Sequence, residues 1–257
     1  MQLVSTETVY SRVYAEVRDA LMSGAFQPGE LVTIRSLAQR LGTSPMPIRD
    51  ALRRLLAENA LETQPNRTVR IPVHNATSTK DLLEARCALE GMAAAKAAHV
   101  ITPAELSKIE KIHAAALRAL AKEDTAEYLR QNTLFHRTLY AGAHSNILLP
   151  LIESLWLQYA PVMALSMRTI EATQKDWRRV GDQNHQEIIK ALRNRDARAV
   201  RRAVEADIME PTKLPGFWNL FTLPGYGTAP KRRRRSSSTT QKPTTDTKKR
   251  VASLRTS

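Results

Sequence analysis

Apolar side chains recur at helical spacing in three segments of the first 75 residues. Within each segment they return every three or four positions, which places them on one face of a helix. The segments are Val9–Leu21, Ile34–Leu41 and Pro45–Glu58. Two short strands, Ala60–Thr63 and Thr68–Ile71, are predicted to follow, on either side of a turn at 65–67. Three helices and a β-hairpin predict a winged helix-turn-helix over residues 1–75.

Turn and cap residues separate these predicted helices. The run Gln27-Pro28-Gly29-Glu30 predicts a turn after the first helix. Thr33 is expected to cap the second helix, and Gly42 to end it because the following turn needs a residue that tolerates positive φ. Ser44 and Pro45 are typical of a helix cap and first turn, so the third helix is predicted to begin there.

From Ser78 onward the spacing predicts one helix after another and no strand. The six predicted helices cover roughly 79–99, 103–122, 125–142, 146–168, 173–194 and 197–209. Ser78 with Asp81 and Thr102 with Glu105 have the spacing of capping boxes. Pro161 is expected to kink or break the fourth helix of this series. An antiparallel, all-α bundle of six or seven helices is therefore predicted over residues 76–212.

The remaining residues, 213–257, are predicted to be irregular and mostly disordered. Pro211, Pro215 and Gly216 are expected to end the regular structure, and the composition beyond residue 230 is too polar to build a core. Residues 231–257 carry +9 of the chain's net charge of +14, which leaves +5 for residues 1–230. Because the folded part is only mildly basic, charge alone does not identify a nucleic-acid-binding protein.

Composition bounds the cellular setting. No stretch of the sequence approaches the ~18 apolar residues of a membrane span, and the N-terminus lacks a signal-peptide pattern. The single cysteine, Cys87, excludes an internal disulfide and suits a reducing compartment. A cytoplasmic protein that does not interact with membranes is expected.

The third predicted helix presents an outward face suited to DNA. In a helix-turn-helix the second helix lies in the major groove, and an arginine there can bond both O6 and N7 of guanine. Ser44 and the helix N-terminus are placed to hold a phosphate, and Arg67 at the hairpin tip can reach a groove or the backbone. The outward residues are Met46, Pro47, Arg49 and Arg53. An ordinary solvated helix face is the alternative interpretation of the two arginines.

These residues resemble the GntR family of bacterial transcriptional regulators. The resemblance runs through Tyr14–Val73, including ALMSGAFQPGELVTIRSLAQRLGTSPMPIRDALRRLLAENALETQPNRTVRI. It implies that Arg35 and Arg49 contact DNA. A further family arginine is replaced here by Pro45, and the usual glycine at the wing tip gives way to Asn66-Arg67. No consensus operator is therefore carried over.

Polar residues interrupt the apolar faces of three helices in the predicted bundle. Asn132 and His136 are four residues apart and share a face, while His185 and Asp207 interrupt two other apolar stripes. Buried polar groups need partners, and imidazole, amide and carboxylate ligands from facing helices suit a divalent metal such as zinc, manganese or nickel. A hydrogen-bonded core without metal is the alternative.

The same region resembles the FCD (FadR-like) type of GntR effector domain. The matching segments are DLLEARCALEGMAAAKAA, NTLFHRTLYAGAHSNIL and NHQEIIKALRNRDARAVRRAVEAD. Many such domains place Asp, His, His and His at the positions of Asn132, His136, His185 and Asp207. The resemblance implies that His136, His185 and Asp207 bind the metal with Asn132 as a marginal ligand, and that the metal holds a small carboxylate effector.

Other polar residues of the bundle have weaker patterns. Arg86 interrupts an apolar face, so it is expected either to clamp an effector carboxylate or to pair with Glu90 inside the bundle. The remaining histidines of this region, His99, His113 and His144, are predicted to lie at the surface.

Together these features predict a sequence-specific transcriptional regulator that acts as a repressor, rather than an enzyme. It is expected to bind a pseudo-palindromic operator as a homodimer, because one recognition helix covers only a few base pairs. A helical-bundle metalloenzyme and a non-specific nucleic-acid-binding protein are the alternatives. The enzyme is disfavoured because no activated nucleophile or poised carboxylate pair is recognisable.

Overall fold

The computed structural model describes residues 8–65, 68–173, 177–223 and 226–227. Within these residues the chain is mainly helical, with one small sheet near its N-terminus. The elements are α1 (Val9–Met22), β1 (Leu31–Val32), α2 (Ile34–Leu41), α3 (Pro45–Ala57), β2 (Glu62–Thr63), β3 (Val69–Arg70), α4 (Ala76–Val100), α5 (Pro103–Ala121), α6 (Thr125–Ala141), α7 (Leu148–Thr173), α8 (Trp177–Arg193), α9 (Ala197–Lys213) and a 3-10 helix (Trp218–Thr222). The predicted class, a winged helix-turn-helix followed by an all-α bundle, is confirmed.

Residues 8–73, called the head below, fold around α3. Both α1 and α2 pack against α3 and bury the apolar faces that their spacing predicts. Thr33 caps α2 by accepting a hydrogen bond from the backbone N–H of Ser36 at 3.1 Å. Gly42 ends α2 with a φ of 60°, the left-handed conformation expected of it. The largest fully buried side chains of the head are Leu21, Ile48, Leu55 and Ile71.

The sheet of the head has one more strand than the predicted hairpin. β3 lies in the middle, paired antiparallel to β1 on one side and to β2 on the other. Arg70 is thus opposite both Leu31 and Glu62. β1 escapes sequence analysis because it has only two residues, too few to show an alternating pattern. The predicted hairpin tip, Asn66-Arg67, lies outside the described residues.

Helices α4–α9 form the bundle, in which α4 packs on α9, α5 on α6 and α8 on α9. Close packing of α4 against its neighbours follows from its small residues. Four alanines of α4 are completely buried: Ala93, Ala94, Ala97 and Ala98. At Gly91 a Cβ atom would lie only 3.1 Å from Cγ of Arg201 on α9. Small side chains therefore set how near these two helices can lie.

One of the predicted capping boxes is displaced. Thr102 and Glu105 form the predicted box at the start of α5. At the start of α4 the box is formed by Asn75 and Ser78, not by Ser78 and Asp81. The Asn75 side chain accepts from the N–H of Ser78 at 2.8 Å, and the Ser78 hydroxyl accepts from the N–H of Asn75 at 3.0 Å. Helix α4 therefore begins three residues earlier than the predicted start at residue 79.

Helix α7 runs unbroken through Pro161, so of the two predicted alternatives the break is wrong and the kink stays a prediction. A proline inside a helix lacks the hydrogen bond to the carbonyl four residues earlier, here that of Leu157, and its ring crowds the same carbonyl. Helix α7 also contains a stretch, Leu148–Ser166, that is long and apolar enough to cross a membrane by length and composition. The sequence expectation that none exists is corrected, because the average hydropathy of this stretch is high although Glu153 interrupts it. Its buried residues include Ile152, Trp156 and Tyr159, which belong to the bundle core.

The chain remains ordered beyond the predicted end of the bundle at residue 212. Helix α9 continues through Pro211 to Lys213, and the 3-10 helix follows. Phe217 is fully buried, and its ring lies against that of Phe221, which packs on the bundle core. The prediction of an irregular segment from residue 213 is therefore wrong up to residue 223, because these aromatic side chains bury enough apolar surface to order it. Residues 228–257 lie outside the described residues.

The segment after the 3-10 helix returns to the head. The Tyr226 hydroxyl donates to the backbone oxygen of His74, at the junction between head and bundle, over 2.6 Å. Gly227 lies so close to Gly29 that a Cβ on Gly29 would be 2.2 Å from the Gly227 oxygen. Both glycines also have positive φ, 79° and 72°. No other residue fits either position without moving the backbone.

We expect Phe217→Ala to lower the free energy of unfolding by about 3–5 kcal/mol, the usual cost of deleting a buried phenylalanine. Leu223→Ala is the matched control, because Leu223 is 43% exposed and its truncation should cost less than about 1 kcal/mol. Urea unfolding followed by circular dichroism measures both. Equal stabilities of the two variants would show that the segment after α9 adds nothing to the fold.

Candidate DNA-binding helix and candidate metal centre

Helix α3 starts where predicted and leaves its N-terminus open to solvent. Ser44 has the extended backbone of a cap residue, and Pro45 follows as the first helical residue. The Ser44 side chain makes no capping hydrogen bond, contrary to the usual behaviour of a serine cap. Ser44 is exposed, so its hydroxyl is open to solvent, and the N–H of Met46 is the one amide donor among the first three residues of α3 because Pro45 and Pro47 have none. Such an arrangement suits a phosphate oxygen.

The two faces of α3 differ as the spacing predicts. The inner face is buried through Ile48, Ala51, Leu52 and Leu55. On the outer face Met46 is 64% exposed, Arg49 and Arg53 are exposed, and Pro47 is partly exposed. Arg53 lies 3.5 Å from Asp50 in a solvated ion pair, which holds it only weakly. Its guanidinium therefore remains available to a nucleic acid.

The other predicted DNA contacts lie on neighbouring elements. Arg35 is exposed in the first turn of α2, the helix that precedes α3 in the helix-turn-helix. Arg67 lies outside the described residues. The structure thus presents Arg35, Arg49 and Arg53 to solvent on one helix pair.

A cavity of about 100 Å³ lies inside the bundle and collects most of the predicted effector and metal residues. Its wall is formed by α4, α6, α7, α8 and α9, with one residue from α1. Its wall includes both polar and aromatic side chains. They include Arg86, Asn132, His136, Trp156, Tyr159 and Asp207.

The three predicted metal ligands converge beside this cavity. His136 Nε2 lies 3.2 Å from His185 Nε2 and 3.1 Å from Asp207 Oδ2. One ligand atom from each residue falls within 4.8 Å of the other two. Adjacent ligands bound to one ion at about 2.1 Å are roughly 3.0–3.4 Å apart, so these separations fit a single ion. Asn132 lines the cavity but is not one of the three.

The hydrogen bonds behind His136 determine which of its nitrogens holds a proton. Tyr140 is hydrogen-bonded to the buried carboxylate of Glu90, which can only accept. Its hydroxyl oxygen is therefore left to accept from His136 Nδ1, 3.3 Å away. In that tautomer His136 Nε2 carries a lone pair directed at Asp207 and His185. Two imidazole lone pairs and a carboxylate facing one another suit a divalent cation. A hydrogen bond from His136 Nε2–H to Asp207, without metal, is the alternative arrangement of the same three residues.

Protonation of the other two ligands favours the same conclusion. Burial lowers the pKa of His185 to about 3, so its imidazole is neutral at pH 7 and can act as a ligand. Burial would raise the pKa of Asp207, but the neighbouring side chains of His136, His185 and Asn184 together outweigh burial and lower the pKa below the usual value. Asp207 is accordingly ionised. The donor set of two neutral imidazoles and one carboxylate is typical of zinc, manganese or nickel sites.

Arg86 forms the predicted internal ion pair and also lines the cavity, while its role toward an effector stays a prediction. Its Nε donates to Glu90 over 2.7 Å, which confirms the internal ion pair as one alternative. The same guanidinium lines the cavity and lies 4.6 Å from the ring centre of Tyr159. Glu90 also accepts from Trp156 Nε1 at 2.8 Å. Burial by itself would lower the pKa of Arg86. The negative charge of Glu90 has the larger effect and raises the pKa above its ordinary value, so the guanidinium stays charged.

Tyr159 is a cavity residue that sequence analysis missed. Its hydroxyl is buried and has no hydrogen-bond partner among the described residues. A buried hydroxyl without a partner costs about 1–3 kcal/mol, so the cavity wall has an unmet need for a polar group. Burial raises the pKa of Tyr159 to about 12, so it is a neutral donor. Aromatic residues are common in cores, and nothing in the spacing singles this one out.

His113 was also missed, because it was predicted to lie at the surface. It is buried on α5, with Nε2 3.2 Å from Asp182 Oδ1 and its ring edge-on to that of His185. Its position between Ile109 and Ala116, both buried, is the signal that was available. His99 and His144 are exposed, as predicted.

Comparison with known proteins matches both parts of the fold. Residues 9–71 match the bacterial regulatory proteins of the gntR family, and residues 81–209 match the FCD domain. The chain belongs to the GntR family. It is a GntR transcriptional regulator with an FCD domain.

Curated relatives of this GntR regulator match most of the length of the chain. McbR, an HTH-type transcriptional regulator of Escherichia coli (strain K12), is 28% identical over 199 residues, covering 77% of this chain and 88% of McbR. The gluconate operon transcriptional repressor of Bacillus licheniformis is 27% identical over 191 residues, covering 72% of this chain and 76% of that protein.

Solved structures agree with the fold of the GntR regulator. E. coli McbR/YncC has a TM-score of 0.72 at 27% identity, covering 80% of this chain and 95% of that one. A GntR regulator from Rhodococcus sp. RHA1 has a TM-score of 0.63 at 22% identity, covering 78% of this chain and 94% of that one. The second likeness shows the shared fold alone.

We expect Arg49→Ala to weaken binding to a selected operator by about 1–3 kcal/mol through loss of a base contact. Binding to a duplex of random sequence should change little. Arg202→Ala, an exposed arginine on α9, is the matched control and should affect neither duplex. Fluorescence anisotropy with both duplexes measures the effect. Equal losses on the two duplexes would show that Arg49 contacts phosphates only.

Proposed function

We propose that this GntR regulator is a cytoplasmic repressor whose operator affinity is controlled by a small organic acid bound in the bundle cavity. The observation that carries the proposal is the convergence of His136, His185 and Asp207 on one point of the cavity wall. Their lone pairs call for a cation, and the cavity beside them has room for a small molecule.

A divalent metal held by these three residues supplies positive charge and open coordination positions for a carboxylate oxygen. Charge balance shows why the effector needs it. Arg86 is offset by Glu90, and Glu210 on the cavity wall is paired with Lys213 at 2.8 Å. Asp207 then leaves the cavity with one net negative charge, which would repel an acid. A bound divalent ion would change the net charge of the cavity from negative to positive, which attracts an acid.

Three further groups suit the remainder of a small acid. The Arg86 guanidinium spans two oxygens of a carboxylate when its free edge faces a ligand. The Asn132 amide offers both a donor and an acceptor. The unpartnered Tyr159 hydroxyl donates one hydrogen bond. All three line the cavity, so a hydroxylated carboxylic acid would satisfy them together.

Repression and dimerisation are proposed from the relatives and from the size of the recognition helix. The Bacillus licheniformis relative is named a repressor of the gluconate operon. Helix α3 can cover only a few base pairs, so two heads on a pseudo-palindromic operator are needed for specific binding at physiological salt. A homodimer supplies them.

We expect His185→Ala to abolish binding of one zinc, manganese or nickel ion per chain, because it removes one of three ligands. Tyr140→Phe should retain the site but weaken metal affinity about 10–100-fold, since it releases the tautomer of His136. His99→Ala, an exposed histidine, is the matched control. Calorimetric titration with each metal measures all three. A wild-type chain that takes up none of these ions would contradict the proposal and identify Asn132 as the decisive departure from the family.

Operator selectivity should not depend on the basic residues 231–257, which carry +9. Their deletion should lower affinity for random duplex and flatten its salt dependence, because counterion release scales with the phosphates neutralised. The ratio of operator to random-duplex affinity should be maintained or rise. Loss of that ratio on deletion would favour the alternative of a non-specific nucleic-acid-binding protein.

A further inference from the structure

The cavity in the bundle is completed by a residue of the DNA-binding head. Met22, the last residue of α1, lines the cavity. Its side chain packs against the buried core of the bundle and also against that of the head. Among the described residues on the cavity wall it alone comes from the head.

Helix α7 holds Met22 in this place. Gly24, two residues after Met22, lies against α7 so closely that a Cβ atom there would be 2.1 Å from Cβ of Ala164. The neighbouring Met163 and Ala160 of α7 line the cavity. The end of α1 therefore rests directly on the helix that forms one side of the cavity.

A second face of α7 binds the head one to three turns away. Arg18 of α1 pairs with Glu153 at 2.9 Å, and the Ser154 hydroxyl donates to the backbone oxygen of Glu58 over 2.9 Å. Leu157 is 1% exposed and belongs to the core of the head. Helix α7 thus contacts the cavity with one face and the head with an adjoining face. The two sets of contacts lie on the same rigid helix.

We infer that Met22 makes the head a movable wall of the ligand cavity, so that the occupant of the cavity and the position of α1 are coupled directly. This inference rests on the proposed function, because it assigns the route by which that cavity affects DNA binding. Methionine suits the role, since its flexible thioether can repack against occupants of different shape. An occupant that displaces Met22 displaces α1, on which α3 packs. By linkage, operator binding then changes affinity for the occupant by the same factor.

The first test needs no ligand. A bimane label is placed by Met22→Cys in a Cys87→Ser chain, where Trp156 of the same cavity should quench it by contact. Emission is expected to rise in the added Trp156→Phe variant, and to change when a duplex selected from a random library by this chain is bound. A label placed by Met92→Cys, on the 54% exposed Met92 of α4, should respond to neither. Emission at position 22 that ignores both Trp156 and the duplex would overturn the inference.

The second test measures coupling with zinc and citrate as probes. In the wild-type chain the two probes together are expected to change operator affinity by about 5–150-fold, the usual range of allosteric coupling. Met22→Ala should bring this factor close to one, Met22→Leu should keep most of it, and Met92→Ala should keep all of it.

The outcomes separate the two proposals. A Met22→Ala chain with the wild-type coupling factor overturns the inference and leaves the proposed function standing. A wild-type chain that binds zinc and citrate without any change in operator affinity overturns both the inference and the proposed function. A wild-type chain that binds neither probe overturns the proposed function, and the label at position 22 then decides the inference by itself.

Discussion

Glu90 is a carboxylate with none of its surface exposed, and a buried charge without partners costs several kcal/mol. The bundle meets this constraint with donors from three helices: Arg86 on α4, Tyr140 on α6 and Trp156 on α7. Each donor also faces the cavity or its metal ligands. Tyr140 orients His136, while Arg86 and Trp156 form part of the cavity wall. The stability of the core and the chemistry of the cavity therefore depend on the same carboxylate.

Much of this arrangement is predictable from spacing alone. His136, His185 and Asp207 each interrupt an apolar stripe, and a polar residue at a core position needs a partner wherever the helices place it. Their convergence confirms the expected grouping, while the ion itself stays a prediction. The helices and the outer face of α3 follow from the same periodicity, which is strongest in long amphipathic segments.

What spacing did not predict depends on contacts between distant segments. Glu90 appeared only as a possible partner of Arg86, because its bonds to Tyr140 and Trp156 join helices 50 or more residues apart in sequence. Met22 lies just beyond the predicted first helix, which ended at Leu21, and no periodicity indicates that it packs against the bundle as well as the head. The segment around Phe217 was missed for the opposite reason. Prolines and a glycine predicted a loop, but the buried aromatic rings outweigh these local signals.

Some residues of the cavity wall line the cavity and also bond Glu90, and this has a consequence for how such regulators diversify. Wall residues that bond Glu90 are constrained by stability, because their loss leaves a buried charge without a partner. Asn132, Thr133, Ala160 and Met163 line the same cavity without a bond to Glu90. Under the proposed function, substitutions at these four positions change which molecule fits the cavity without removing a partner of Glu90. Single mutations at these positions would then give access to new effectors.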